Sequence, residues 1–121
     1  MNIIIEPNGN YAIYEQIVSQ IKNAIISEEL AAEEALPSIR KLAAEVGVSV
    51  ITTKRAYEEL EKEGFIRSVA NKGFYVCKYN TDYLREKQLV EVERQFAQVI
   101  DEAKQAGLSA EDILDMVEGL L

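Results

Sequence analysis

The chain has no histidine, one cysteine (Cys77), and no uninterrupted apolar run of membrane-spanning length. Each absence closes a class of function. Without histidine there is no His-based triad, no imidazole general base and no histidine metal ligand. A single cysteine allows no internal disulfide, which suits a reducing cytoplasm. Its neighbours Val76 and Lys78 fall on a predicted strand, which points to a buried structural thiol rather than a redox sensor. No stretch approaches the ~18 apolar residues of a transmembrane helix. Met1-Asn-Ile-Ile-Ile-Glu6 is too short and turns acidic too quickly for a signal peptide. There is no Gly-rich phosphate loop, no repeat and no low-complexity segment, and the scattered carboxylates form no convergent site. Neither an enzyme, nor a cofactor or metal protein, nor a membrane protein is expected.

Positive charge is also scarce: 13 basic residues stand against 21 acidic ones, for a net charge of −8. Its distribution is uneven. Residues 1–33 hold one lysine against five glutamates, and residues 79–121 hold four basic residues against ten acidic. Only residues 34–78 are net positive, with eight basic residues against six acidic. A weakly basic face on an acidic body suits nucleic-acid binding that is modest and salt-sensitive. The 121 residues make one domain, or a small domain plus an appendage, and at 48% hydrophobic and 28% charged have an ordinary soluble globular composition.

The basic segment carries the strongest pattern. Ser38, after Pro37, can cap a short helix whose apolar face is Ile39, Leu42, Ala43 and Val46. Gly47 supplies a tight turn. Ser49 then caps a second helix with Thr53, Ala56, Tyr57 and Leu60 on its inner face. Gly64-Phe-Ile66 closes that helix and opens a strand, Phe74-Tyr-Val76 is β-prone, and Asn71-Lys-Gly73 forms a turn between them. Two helices about a Gly turn, then a hairpin with a basic tip, predict a winged helix-turn-helix. Such a unit offers the start of its second helix to the DNA major groove; a protein-interaction module of the same fold is the alternative.

The flanks complete the plan. Residues 1–10 read as an N-terminal arm, and Asn8-Gly-Asn10 can cap a helix from Tyr11 to about Glu28 with Ile13, Ile17, Ile21 and Ile25 on one stripe. Beyond residue 78 a long helix is expected from Asn80 or Thr81 to Ala106, with Leu89, Val92, Phe96, Val99, Ile100 and Ala103 as its stripe. Gly107 would end it, and Ser109 with Asp112 would open a short helix carrying Ile113, Val117 and Leu120. The expected architecture is mainly α with a small β wing: an arm (1–10), a winged helix-turn-helix (11–78) and a C-terminal two-helix hairpin for dimerisation (79–121), whose apolar stripe is expected to pair with a second copy rather than fold back on the winged helix.

Tyr11-Ala-Ile-Tyr-Glu-Gln-Ile17, Leu36-Pro-Ser-Ile-Arg40, Ala43-Ala-Glu-Val-Gly-Val-Ser49, Arg55-Ala-Tyr-Glu-Glu-Leu60 and Glu63-Gly-Phe-Ile66 resemble, in order and spacing, the N-terminal domain of GntR-family bacterial transcription regulators, the YtrA-type subfamily most closely. The resemblance implies a homodimeric regulator, a repressor, at a pseudo-palindromic double-stranded operator, with transporter operons as the usual targets. It implies DNA contacts from Ser38 and Arg40, from Ser49, Val50, Ile51, Thr52, Lys54 and Arg55, and from Lys72 and Gly73 at the wing. The dimer interface would be Leu89, Val92, Phe96, Val99, Ile100, Ile113, Val117 and Leu120. The chain departs from the family twice: Ala32-Glu33 replaces a usual Pro-Gly, which could extend the first helix or loosen the loop, and Val69-Ala70 replaces basic wing residues. No cofactor is implied, and no effector ligand is named by the sequence.

Overall fold

The structure is a computed structural model and describes residues 1–78 and 81–121. It divides into two compact units, Met1–Thr81 and Asp82–Leu121. The first holds three helices, α1 (Ile13–Ile26), α2 (Ile39–Val46) and α3 (Val50–Lys62), and two strands, β1 (Ile66–Val69) and β2 (Gly73–Val76). Helices α1 and α2 both pack on α3, and β1 follows α3 directly. The strands form an antiparallel pair that runs from Ile66 opposite Val76 to Val69 opposite Gly73.

Periodicity explains the core. Ile17, Ile21 and Ile25, with Val18 and Ala24, form the buried stripe of α1, while Thr53, Ala56, Tyr57 and Leu60 form that of α3. Each large apolar side chain buried there contributes about 1.5–3 kcal/mol. The stripe of α2 is narrower than expected: Leu42 and Ala43 are buried, whereas Ile39 and Val46 are half-buried. Ser38 and Ser49 cap α2 and α3, accepting from the N–H of Lys41 and Thr52 respectively. Between these helices Gly47 sits at φ 80°, a conformation that costs L side chains about 1–2 kcal/mol.

The first helix is shorter than its pattern suggests. It runs neither from Tyr11 nor to Glu28, and no side chain caps it. The chain turns at Gly9, whose N–H donates to Glu6 O, and the first helical bond is Gln16 N–H to Ala12 O. At the far end Glu28 takes φ 64°, which stops the helix two residues early. The arm is not free either. The Gln20 side chain pairs with both backbone groups of Ile4, and the Gln16 side chain with both of Glu6. Two amides one turn apart on α1 thereby stand in for a neighbouring strand.

The segment after α1 neither extends the helix nor loosens. Leu30 and Leu36 are buried anchors. Glu33 adopts φ 67°, the left-handed conformation that favours glycine. Its N–H donates to Val76 O, Val76 N–H donates to Glu34 O, and Leu36 N–H donates to Phe74 O. The segment thus lies along β2 as a short third edge, bridged at Ala35 and Tyr75. Strand β2 stops at Val76, so Cys77 and Lys78 lie beyond it, although Cys77 N–H still donates to Phe65 O.

The second unit is α4 (Thr81–Gln105) and α5 (Ala110–Leu120). The alternative helix start at Asn80, and residue 79 at the expected boundary, lie outside the described residues. Around Gly107 the N–H groups of Gly107 and Leu108 close back on Lys104 and Ala103, ending α4 where expected. Ser109 and Asp112 form a reciprocal capping box at the start of α5. The Ser109 N–H and hydroxyl hold the Asp112 carboxyl below its usual range. Among the described residues the two helices share no extended packing face. Leu89, Val92, Phe96, Val99, Val117 and Leu120 are exposed, with Phe96 at 57%, while Ile100 and Ile113 are half-buried. Among the described residues no helix is long and apolar enough to cross a membrane.

Candidate nucleic-acid interface

The site is built on two helix starts and a hairpin tip. At α3, Ser49 Oγ accepts from Thr52 N–H (3.0 Å) and donates its proton to Thr52 Oγ1 (2.8 Å). Ser49 therefore has no proton left for a phosphate, while the Thr52 hydroxyl keeps one to give. Thr53 N–H and Oγ1 both bond to Ser49 O. Among the described residues that leaves the N–H groups of Val50 and Ile51 open at the positive end of the helix dipole, where an anion is favoured. Ile51 is 80% exposed and Val50 is exposed beside it. Apolar side chains so exposed at a helix start can meet thymine methyls or sugar carbons.

The same arrangement recurs at α2. Ser38 Oγ takes Lys41 N–H at 3.1 Å and Ser38 O takes Leu42 N–H, so among the described residues the N–H groups of Ile39 and Arg40 stay open. The exposed Arg40 side chain stands beside them with no ion pair among the described residues. A guanidinium next to free helix amides suits phosphate, and its fork also fits a guanine edge. At the wing, Asn71 (φ 63°) and Gly73 (φ 99°) bend the chain so that Lys72 sits exposed at the tip.

The remaining cations divide by partner. Lys41 and Lys54 lie 4.0 and 3.9 Å from Glu45 and Glu58 one turn on, exposed pairs worth at most about 0.5 kcal/mol each. Lys22 meets Glu63 at 2.9 Å and lies over the Phe65 ring, tying α1 to the end of α3. Arg55 does something the sequence did not announce: its guanidinium carbon lies 3.8 Å from the centroid of the Tyr14 ring on α1. Tyr14 is in register with the buried Val18, Ile21 and Ile25, so by spacing it reads as an ordinary core position.

Tyr57 braces the site from behind. It is fully buried, donates its hydroxyl to Pro37 O at 2.8 Å, and meets the Phe74 ring edge-on at 5.0 Å. One side chain thus links α3 to the start of α2 and to the wing. Burial, and then the Glu45 carboxylate, push its phenol far above the usual range, so it remains a donor. Cys77 is half-buried rather than fully buried; burial raises its thiol pKa, partly opposed by Arg67 and aided by Glu61. Among the described residues no group of three or more Cys, Asp or Glu could hold a metal ion.

Comparison with known proteins agrees with this architecture. The family model described as bacterial regulatory proteins, gntR family, matches residues 13–76. The chain is 31% identical to the HTH-type transcriptional repressor YtrA of Bacillus subtilis (strain 168) over 116 residues, covering 96% of this chain and 89% of that protein. YtrA from Sulfolobus acidocaldarius, a GntR-family transcription factor, superposes with a TM-score of 0.64 at 36% identity, over 78% of this chain and 97% of that one. A transcriptional antiterminator from Listeria monocytogenes EGD-e gives a TM-score of 0.76 at 28% identity, over 99% of this chain and 90% of that one. The chain belongs to the GntR family of bacterial regulatory proteins, as a DNA-binding transcription regulator of the YtrA type with a winged helix-turn-helix.

Proposed function

We infer that the chain is a cytoplasmic repressor that binds a pseudo-palindromic operator as a homodimer, with α4 and α5 supplying the contact between copies. Within each copy the start of α3 enters the major groove and the start of α2 lies against the DNA backbone: Arg40, Thr52 and the open amides hold phosphates, while Val50 and Ile51 touch bases or sugars. Lys72 with Gly73 reaches the neighbouring minor groove. Transporter genes are the expected targets, on the strength of the YtrA-type resemblance alone.

The observation that carries the dimer is the exposed row Leu89, Val92, Phe96 and Val99 along one helix. A soluble protein rarely leaves such a row in water, and closed two-fold pairing is the commonest way to cover it. Pairing also sets two recognition helices about one DNA turn, ~34–36 Å, or a multiple of it, apart. Phe96→Asp tests it. Phe96 is exposed in the single copy, so the change leaves the winged helix folded while placing a charge in the interface. Light scattering should report a monomer, and affinity for a duplex selected from a random library by the wild-type chain should fall more than tenfold. A persisting dimer moves the interface off this stripe.

A further inference from the structure

Arg55 differs from the paired lysines in one respect: its head group is fixed, yet no carboxylate fixes it. Lys22, Lys41 and Lys54 each lie within 4.0 Å of a glutamate oxygen. Among the described residues Arg55 has no such partner, and its guanidinium rests 3.8 Å from the Tyr14 ring centroid instead. The chemical consequence is specific. A carboxylate would consume guanidinium N–H donors, whereas an aromatic ring engages the flat π face and leaves the donors in its plane available. Tyr14 is half-buried in the first turn of α1, so its ring is held by the core side of that helix, while Arg55 remains exposed on α3. Arg55 lies one turn after Ile51, on the same exposed side of the helix.

We propose that Tyr14 is a positioning residue for DNA binding: its ring holds the Arg55 guanidinium ready for a backbone phosphate and does not itself contact the nucleic acid. The inference rests on the DNA-reading function proposed above. Holding the fork in place before binding lowers the ordering cost of a long flexible side chain, which would otherwise be met when the complex forms. It adds affinity without adding a charge.

The test uses the full chain and the duplex selected by the wild type, with binding read by fluorescence anisotropy at several salt concentrations. Tyr14→Phe keeps the ring and should bind within about twofold of wild type. Tyr14→Leu keeps apolar bulk but loses the π face and should bind about 3–10-fold more weakly. Its salt dependence should be unchanged, because no cation is lost. Arg55→Gln should weaken binding and lower the salt slope by about one phosphate per copy. In the Arg55→Gln background, Tyr14→Leu should change affinity by less than about twofold, since nothing remains to position. Thermal melts monitor the fold of each variant.

Three results overturn the proposal. Tyr14→Phe as weak as Tyr14→Leu would mean that the hydroxyl itself makes a contact. Tyr14→Leu equal to wild type would mean that the ring contact is idle. A full Tyr14→Leu loss persisting without Arg55 would mean that Tyr14 acts through the core. A wild-type chain that selects no duplex removes the DNA-reading function itself, and with it this role; the other outcomes leave that function standing.

Discussion

Replacing Tyr57 by phenylalanine removes one atom from the centre of the winged helix, and its cost follows from the geometry. The ring is fully buried and keeps its edge-on contact with Phe74, so packing is unchanged. What is lost is the 2.8 Å bond from the hydroxyl to Pro37 O. A net hydrogen bond contributes about 0.5–1.5 kcal/mol, and leaving a buried acceptor unsatisfied costs about 1–3 kcal/mol. Pro37 lies at the edge of the core and is half-buried, so the lower half of the combined range applies, about 1–2 kcal/mol. For a unit of roughly 80 residues each kcal/mol lowers Tm by about 4–8 °C. Tyr57→Phe should therefore melt about 5–15 °C below wild type by circular dichroism, with a lower denaturant midpoint and an unchanged m value. Tyr57→Ala, which also removes the ring, should cost about 3–5 kcal/mol. A Tyr57→Phe melt within about 1 °C of wild type would refute the claim that this hydroxyl joins α3 to the start of α2.

Arg40→Ala should weaken operator binding by about 1–3 kcal/mol while leaving the melt unchanged, because the side chain is exposed. Lys72→Ala should be milder and lower the salt slope by about one per copy; abolished binding would show that the wing is a principal contact. Glu33→Gly should raise stability by up to about 1 kcal/mol, since φ 67° strains a glutamate and not a glycine. A destabilised variant would show that the glutamate side chain holds the loop. Because burial raises the Cys77 thiol pKa, its thiolate forms only at higher pH, so alkylation at pH 8 should be slower than for a free thiol and should recover on denaturation. Equal rates would show that the thiol is fully accessible.

What the sequence made legible is what local chemistry decides. Ser38 and Ser49 had to be caps because a hydroxyl three residues before an open amide satisfies it, and Gly47 and Gly73 sit where the backbone turns left-handed. The capping box at Ser109 and Asp112 is equally local. The contacts that escaped are those between distant residues. Gln16 and Gln20 look like ordinary polar positions on α1, yet both spend their amides on the arm. The segment at 33–36 lacks a strand pattern, and only its partner β2 gives it one. The ends of α1 were misplaced for a related reason. Periodicity shows which residues face the core, but a left-handed Glu28 decides where the helix stops. At the site, the expected DNA-contact residues are exposed except for the half-buried Thr52, while the division of their cations into paired, stacked and free was invisible.

That division bears on how an acidic protein can hold DNA. Part of the basic charge in the reading unit is already met by glutamates: Lys41 by Glu45, Lys54 by Glu58. Among the described residues the cations at the proposed face without a carboxylate partner are Arg40, Arg55 and Lys72, and residues 79–121 carry ten acidic groups against four basic. A single copy therefore brings few counterion-releasing contacts, and its non-specific affinity should be low. Two consequences offset this. Open amides at the starts of α2 and α3 attract phosphate without adding net charge, and they act only where the helices seat correctly in the groove. Pairing two copies joins two weak half-site contacts, so that the second forms at the effective concentration set by the first. Weak general attraction combined with geometric contacts favours discrimination over raw affinity. In the proposed dimer the acidic C-terminal unit would contribute twice, joining the copies and lowering the background against which the operator is read.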